Sequence, residues 1–336
     1  MIKYPDRRLQ TVGVTAPSSG VPEALHHLIH DSAVRQNKRG LAVVAGETVW
    51  TQKHAKSAAA RKRATELHTM LSDDSIDFIM PPWGDELLLE MLEFLDFSSI
   101  PKKWILGYSD VSALLLAITL RTGIATAHGT NFVDIRGEKM DETTARFLDV
   151  LQTAPGETVG QVSSARYQKE WRHDAPSDSV FHLTEKTEWK TISGKKEVFE
   201  GRLLGGCIDV IRHLVGTPFG GVDAFRNRHI PGDPVVWYLE NCELTTTDLK
   251  RSLVQMKYAG WFENCTGILF GRSAANMPVG DYTSRVVYEE LAEDLDIPVV
   301  FDIDCGHQPP QLTFVNGAWA EIDVADGKGI VHQTFR

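Results

Sequence analysis

Short apolar runs alternate along the chain with longer stretches in which apolar residues recur every three or four positions. That alternation separates buried strands from amphipathic helices. In the first half, "TVGVTAP" (11–17) reads as a strand stopped by Pro17, and "SSGVPEALHHLIHDSAV" (18–34) as a loop entering a helix. "GLAVVAG" is a second short strand, and "KHAKSAAARKRATELHTMLSD" (53–73) a long helix rich in the helix formers Ala, Lys and Arg. "IDFIMPPWGDE" is a strand that breaks into a Pro-Pro-Trp-Gly loop, with "ELLLEMLEFLDF" as the helix after it. "KKWILGYSD" leads into a Leu-rich helix ending at Gly123, and "IATAHGT" is a further short strand. Strands alternating with helices predict right-handed crossovers and a mostly parallel sheet. The loops at the strands' carboxyl ends then carry the site: 81–85, 107–110 and 128–131.

The pattern changes near residue 153. "TAPGETVGQVSSARYQKEWRHDAPSDS" is polar and punctuated by Pro, Gly and Ser, and reads as a domain connection. After it, "LTEKTEWKTISGKKEVFEGRLLGG" reads as short strands with a turn at Ser193-Gly194. "PVVWYLENCE" is a buried strand, "TTDLKRSLVQMKYAGWF" a helix and "TGILFGR" a strand. "SRVVYEELAEDLDIPVVFDIDCGH" is helix, turn and strand, and "AWAEIDVADGKGIVH" a closing hairpin.

Composition narrows the function classes. The 336 residues suit two domains or one large one. A formal charge of -10 with no basic stripe excludes an electrostatic footprint for a nucleic-acid polymer. "ARKRA" around Arg61 is the densest basic cluster and is expected to be a solvated helix face. The four cysteines form no C-x-x-C pair, the N-terminus has no apolar signal core, and no apolar run approaches the roughly 18 residues of a membrane span. A cytoplasmic protein without membrane attachment is expected.

Candidate chemistry collects at three strand ends. Ser109 in "GYSDV" stands where a strand turns into a helix, and Asp110 follows it. The residue reads equally as a helix cap, since Ser and Asp suit a helix start, and as a nucleophile presented at the sheet edge. The second glycine of the G-x-S-x-G elbow is missing. Glu240 ends the apolar strand "VVWYLE", as an acid orienting a base would, or as a partner for a helix start. His307 ends "VVFDIDCGH", ahead of a loop fixed by Pro-Pro. A serine nucleophile needs a base, a group to orient the base, and donors for the oxyanion, and Ser, Glu and His are of the required types.

The set resembles the LD-carboxypeptidase family of serine peptidases, the group that includes the microcin C immunity proteins. "VGVTAPSSGV" is similar to its opening strand and loop, "LGYSDVSALLLAI" to its nucleophile segment and "HGTN" to the strand end that follows. "EGRLLGGCIDVIRHLVGTPF" resembles the Gly-Gly segment of its second domain, and "WYLENCE" and "DCGHQPPQLTFVNGAWAEID" its acid and histidine segments. The resemblance implies an α/β fold. A Rossmann-like or flavodoxin-like parallel-sheet domain (1–155) would carry the nucleophile, a segment (156–198) would hold a substrate-binding loop, and a smaller β-rich domain (199–336) would supply acid and histidine. It implies Ser109 as nucleophile, His307 as general base and acid, and Glu240 as its orienting group. The oxyanion donors would be the backbone N–H groups of Asp110 and Gly84. In that loop "PPWGDE" replaces the family's usual Gly-Gly pair, and Cys207 stands where many members carry a polar residue.

It further implies a homodimer acting without metal or cofactor on a small peptide or peptidyl nucleotide. Tyr167, Trp171 and Trp83 would bind substrate, and Trp171 would stack on a nucleobase as in the immunity branch. The expected reaction is hydrolysis of an amide at a C-terminal unit. A nucleotide substrate of the microcin C type is slightly favoured over a murein tetrapeptide, with a non-catalytic binding homologue and an unrelated esterase as alternatives. His26 and His30 stand at i, i+4 in "HHLIH" without a third ligand, which reads against a zinc site. His128 is either a pocket residue or a structural hydrogen-bonding group, and the cysteines are expected to be inert core residues.

Overall fold

A computed structural model describes residues 1–6, 8–170, 175–275 and 277–336. Five parallel strands, β1 (Thr11–Val14), β2 (Ala42–Ala45), β3 (Phe78–Ile79), β4 (Trp104–Gly107) and β5 (Thr126–His128), form the first sheet in the order β5-β4-β3-β1-β2. Its sixth strand comes from far along the chain: β14 (Phe314–Asn316) pairs antiparallel with β5.

The remaining strands, in chain order, are β6 (Thr158–Val162), β7 (Arg166–Tyr167), β8 (Glu185–Lys186), β9 (Lys190–Thr191), β10 (Glu197–Cys207), β11 (Val235–Glu240), β12 (Cys265–Gly271), β13 (Val299–Ile303), β15 (Trp319–Ala325) and β16 (Lys328–Thr334). Eight of them form a second sheet in the order β6-β16-β15-β10-β11-β12-β13-β9. Its centre, β10 to β13, is parallel, and its flanks are antiparallel. All six residues of β11 are buried, as a central parallel strand covered on both faces requires. The polar segment 156–198 supplies both edges of this sheet, β6 and β9, as well as the small β7–β8 ribbon.

Between the sheets lies the helix Val111–Thr122, whose residues Val111 to Leu120 are all buried. A helix that is apolar all round belongs inside a core. It stops at Gly123, which takes the left-handed conformation at φ +70°. Asn316 pins the two sheets together from β14. Its Oδ1 accepts from the Gly205 N–H at 3.0 Å and the Tyr238 hydroxyl at 2.8 Å, and its Nδ2 donates to Thr126 Oγ1 at 3.3 Å. At Gly206, φ +144°, an added Cβ would stand 2.6 Å from Ser112 Cβ, so the Gly-Gly segment can lie directly on the helix after Ser109.

Three local expectations change. The helix predicted from Lys53 begins at Ala60, because His54 and Ala55 take positive φ and form a turn. The segment after the Pro-Pro-Trp-Gly loop is a 3-10 helix, Leu88–Phe94, rather than an α-helix. The basic cluster is only partly a solvated face. Arg63 is fully buried, its guanidinium donating to the carbonyls of Pro17 (2.8 Å) and Leu87 (3.0 Å) and pairing with Glu90. Among the described residues, no helix is long and apolar enough to cross a membrane.

Candidate active site

Ser109 sits in a left-handed turn, φ +65°, between β4 and the central helix. A non-glycine residue held there costs of order 1–3 kcal/mol and persists only where its surroundings over-determine it. The helix starts at Val111 with Asp110 as its N-cap and without a side-chain capping bond, so the cap reading of Ser109 falls away. Ser109 Oγ instead lies 3.1 Å from His307 Nε2. The other ring nitrogen, Nδ1, is 2.9 Å from Glu240 Oε1 and 3.1 Å from Oε2. Ser109 is carried by the first sheet and the other two by the second.

Glycines make the Glu240–His307 contact sterically possible. A Cβ on Gly306 (φ +94°) would strike the Glu240 carboxylate, and one on Gly271 would lie 2.9 Å from Glu240 Cβ. Burial alone would raise the Glu240 carboxyl, but the adjacent imidazole outweighs it and holds Glu240 below the usual carboxylate range. Burial would likewise depress His307, but the charge and hydrogen bond of Glu240 together with the neighbouring Cys242 side chain outweigh it and hold the imidazole well above the ordinary histidine value.

Groups not singled out in the sequence hold this arrangement. Arg272, just beyond β12, donates through Nη1 to Asp304 Oδ1 (2.8 Å) and through Nη2 to the carbonyls of Gln308 (2.9 Å) and Pro310 (3.0 Å). One buried guanidinium thus ties the chain on both sides of His307. Asp304 also accepts from Ser164 N–H (2.9 Å), Ser164 Oγ (2.6 Å) and Trp189 Nε1 (2.8 Å). On the other flank, Asp209 accepts the N–H groups of Cys242 (3.0 Å) and Glu243 (2.7 Å), fixing the turn after Glu240.

Ser109 and His307 open onto a cleft of about 1140 Å³. Gly84 stands against the serine: a Cβ there would be 2.6 Å from Ser109 Cβ and 2.7 Å from the Asp110 nitrogen. Trp83 lines the cleft half-buried, its indole N–H donating to the Gly20 carbonyl at 3.2 Å. Asp85, Glu86 and Glu243 form an acidic group in its lining, which also includes Arg212 and His213. Glu86 is raised above its usual value, first by burial and then by Asp85 and Glu243.

Tyr167 is not in this cleft. Its ring lies under the Arg272 guanidinium, 4.6 Å from ring centre to Cζ, and lines a separate polar cavity. Trp171 falls outside the described residues. His128 is fully buried behind the site against Tyr108 and Tyr238, and burial lowers it to about 4. His26 and His30 pack on Trp50, and the described residues contain no cluster of three or more metal-ligating side chains. Cys207 and Cys305 are core residues as expected, whereas Cys242 is only half-buried; Cys207 and Cys242 both line the cleft, and burial raises both thiols.

With a parallel α/β sheet, a β-rich second sheet and a Ser-His-Glu cluster at their seam, the molecule has the layout of a two-part hydrolase. The family models for the LD-carboxypeptidase N-terminal and C-terminal domains match residues 12–129 and 200–322, and the chain belongs to that family. The microcin C7 self-immunity protein MccF of Escherichia coli is 26% identical over 307 residues, covering 87% of this chain and 84% of MccF. The fold is shared with an MccF-like protein from Bacillus anthracis, at TM-score 0.84 and 20% identity over 100% of both chains. It is also shared with the muramoyltetrapeptide carboxypeptidase of Oxalobacter formigenes, at TM-score 0.73 and 18% identity over 96% of this chain and 98% of that one.

The Arg272–Asp304 pair carries a stability prediction. Arg272→Met strands a buried carboxylate and is expected to lower the unfolding free energy by about 3–5 kcal/mol. Adding Asp304→Asn, which removes the charge and keeps an acceptor for Ser164 and Trp189, should recover part of that loss, as read by denaturant titration.

Proposed function

We propose that the protein is a serine peptidase that hydrolyses an amide bond at a C-terminal unit, with Ser109, His307 and Glu240 as its catalytic triad. The observation that carries this reading is the hydrogen-bonded run from Ser109 Oγ to His307 Nε2 (3.1 Å) and from Nδ1 to Glu240 Oε2 (3.1 Å). Ser109 Oγ attacks the amide carbon while His307 Nε2 takes its proton. Glu240 holds the ring tautomer and balances the imidazolium. The oxyanion forms against the N–H groups of Asp110 and Gly84. The C–N bond then breaks, His307 gives its proton to the departing amine, and water activated by the same nitrogen releases the acyl group.

Two substrate classes suit this chemistry. An aminoacyl or peptidyl nucleotide is favoured by the sequence relationship to MccF, and a murein tetrapeptide is the second reading. Each places an amine before the scissile bond and an anion after it. The acidic group Asp85, Glu86 and Glu243 suits the first, and Arg212 suits the second. Arg212 is held by the Asp209 carbonyl at 3.1 Å and Ser252 Oγ at 3.4 Å, and it faces the cleft.

Mass-spectrometric product analysis tests the reading. The protein is expected to release the terminal unit from an aminoacyl sulfamoyl adenosine or from a murein L,D-tetrapeptide, and Ser109→Ala to release neither. Binding without turnover in the unaltered protein would reject catalysis. The acid limb of kcat/KM is expected above the ordinary histidine value, since His307 must lose its proton to act as a base and Glu240 holds that proton on. Glu240→Gln should move the limb to lower pH while reducing kcat. Arg212→Gln should raise KM by about 10–100-fold for a substrate with an anionic terminal unit, the loss of one charge-assisted hydrogen bond. A neutral, amidated analogue should be unaffected.

A further inference from the structure

Asp110 has a second feature that its backbone role does not require. Its carboxylate is buried, with the residue 2% exposed, and although Asp110 is the N-cap of the helix its side chain makes no capping bond. One oxygen, Oδ2, accepts both the Leu88 N–H at 2.8 Å and the Ser18 hydroxyl at 2.5 Å. Leu88 opens the 3-10 helix directly after the Trp83–Leu87 loop, and Ser18 belongs to the loop after β1. That same β1 loop touches Gly84, where Ser19 N–H donates to the Gly84 carbonyl at 3.3 Å, and Trp83, whose indole donates to Gly20.

Arg63 closes the ring from behind. Its Nη1 reaches the carbonyls of Pro17, next to Ser18, and Leu87, next to Leu88, and its other nitrogen pairs with Glu90. Both segments held by the Asp110 carboxylate are therefore also held by one buried guanidinium. The loop between them is strained, since Asp85, beside Gly84, has φ +94°.

We infer that the Asp110 side chain is the positioning residue of the oxyanion site: its carboxylate fixes the 83–88 loop so that Gly84 is held against Ser109, while its own N–H supplies the facing donor. This rests on the serine-peptidase reading above and extends it. It also accounts for the departure from a Gly-Gly pair. A loop with one glycine keeps its place by anchorage at Leu88 and Ser18 rather than by backbone freedom. Oxyanion stabilisation depends on donors already in place before charge develops. A shift of the loop would weaken the transition state and leave ground-state binding intact.

Asp110 substitutions separate the two roles, because every variant retains the backbone N–H. The probe is an alkyl fluorophosphonate. Ser109 Oγ forms the O–P bond, fluoride leaves, and the proton goes to His307, with negative charge developing on the phosphoryl oxygen. Labelling kinetics resolve the reversible binding constant from the maximal rate, and the labelled residue is mapped by mass spectrometry. Asp110→Ala is expected to lower the maximal rate on the order of 10²-fold with little change in binding, as losing one oxyanion donor does. Asp110→Asn keeps an acceptor for Leu88 N–H and should recover part of that rate. Ser18→Ala, which removes one of the two anchors and none of the donors, should give an intermediate rate and remains informative if Asp110→Ala does not fold. Unaltered protein that is not labelled at Ser109 would reject the peptidase reading itself. Labelling of the unaltered protein, with folded Asp110→Ala and Ser18→Ala labelled at the same maximal rate, would overturn the positioning role alone.

Discussion

A fully buried carboxylate at the end of a central strand is the constraint on which the site depends. Leaving a charge unpaired in such a place costs several kcal/mol, and Glu240 meets that demand with the His307 imidazole at 2.9 Å. The contact dictates what surrounds it. Glycine is needed at 271 and 306, since a side chain at either would occupy the space of Glu240. The turn after His307 must be held in place, which the Arg272 guanidinium does from the neighbouring strand end. What looks like a catalytic pair is also the way the second sheet neutralises its own interior charge.

The serine is brought to that pair by packing rather than by chain proximity. The helix after Ser109 is apolar on every side because it fills the space between two sheets, and Gly206 lets β10 lie against it at Ser112. β14 leaves the second half of the chain to finish the first sheet, and Asn316 hydrogen-bonds to groups on both. Buried side-chain networks of this kind, fully satisfied, fix one relative placement of the layers. The 3.1 Å spacing from Ser109 Oγ to His307 Nε2 is the outcome of that placement.

Much of this was legible in the chain. Strands that end in Ser, Glu and His, together with an all-apolar helix after the serine, carried the parallel sheet, the family resemblance and the three residues that meet. Local periodicity could not show what depends on distant partners. Arg63 lies in an Ala- and Arg-rich run that reads as a wetted surface, and its burial is set by carbonyls at Pro17 and Leu87. Segment 156–198 reads as a connector because its strands are short and polar, yet they are sheet edges whose partners lie near the C-terminus and in β13. Tyr167 reads as an isolated aromatic awaiting a ligand, and its ring is covered by Arg272. Asp304 and Arg272 did stand at strand ends beside the histidine and the loop, a placement that marks positioning groups as well as catalytic ones.

The most direct measurement is proton NMR of the His307 ring Nδ1–H, followed across pH in the unaltered protein and in Glu240→Ala. The account predicts a resonance downfield of the amide envelope that persists well above the ordinary histidine value of about 6.5 and disappears in the variant. Absence of that resonance, or one that titrates near the ordinary value and survives in Glu240→Ala, would contradict a buried Glu240–His307 pair at the centre of the site.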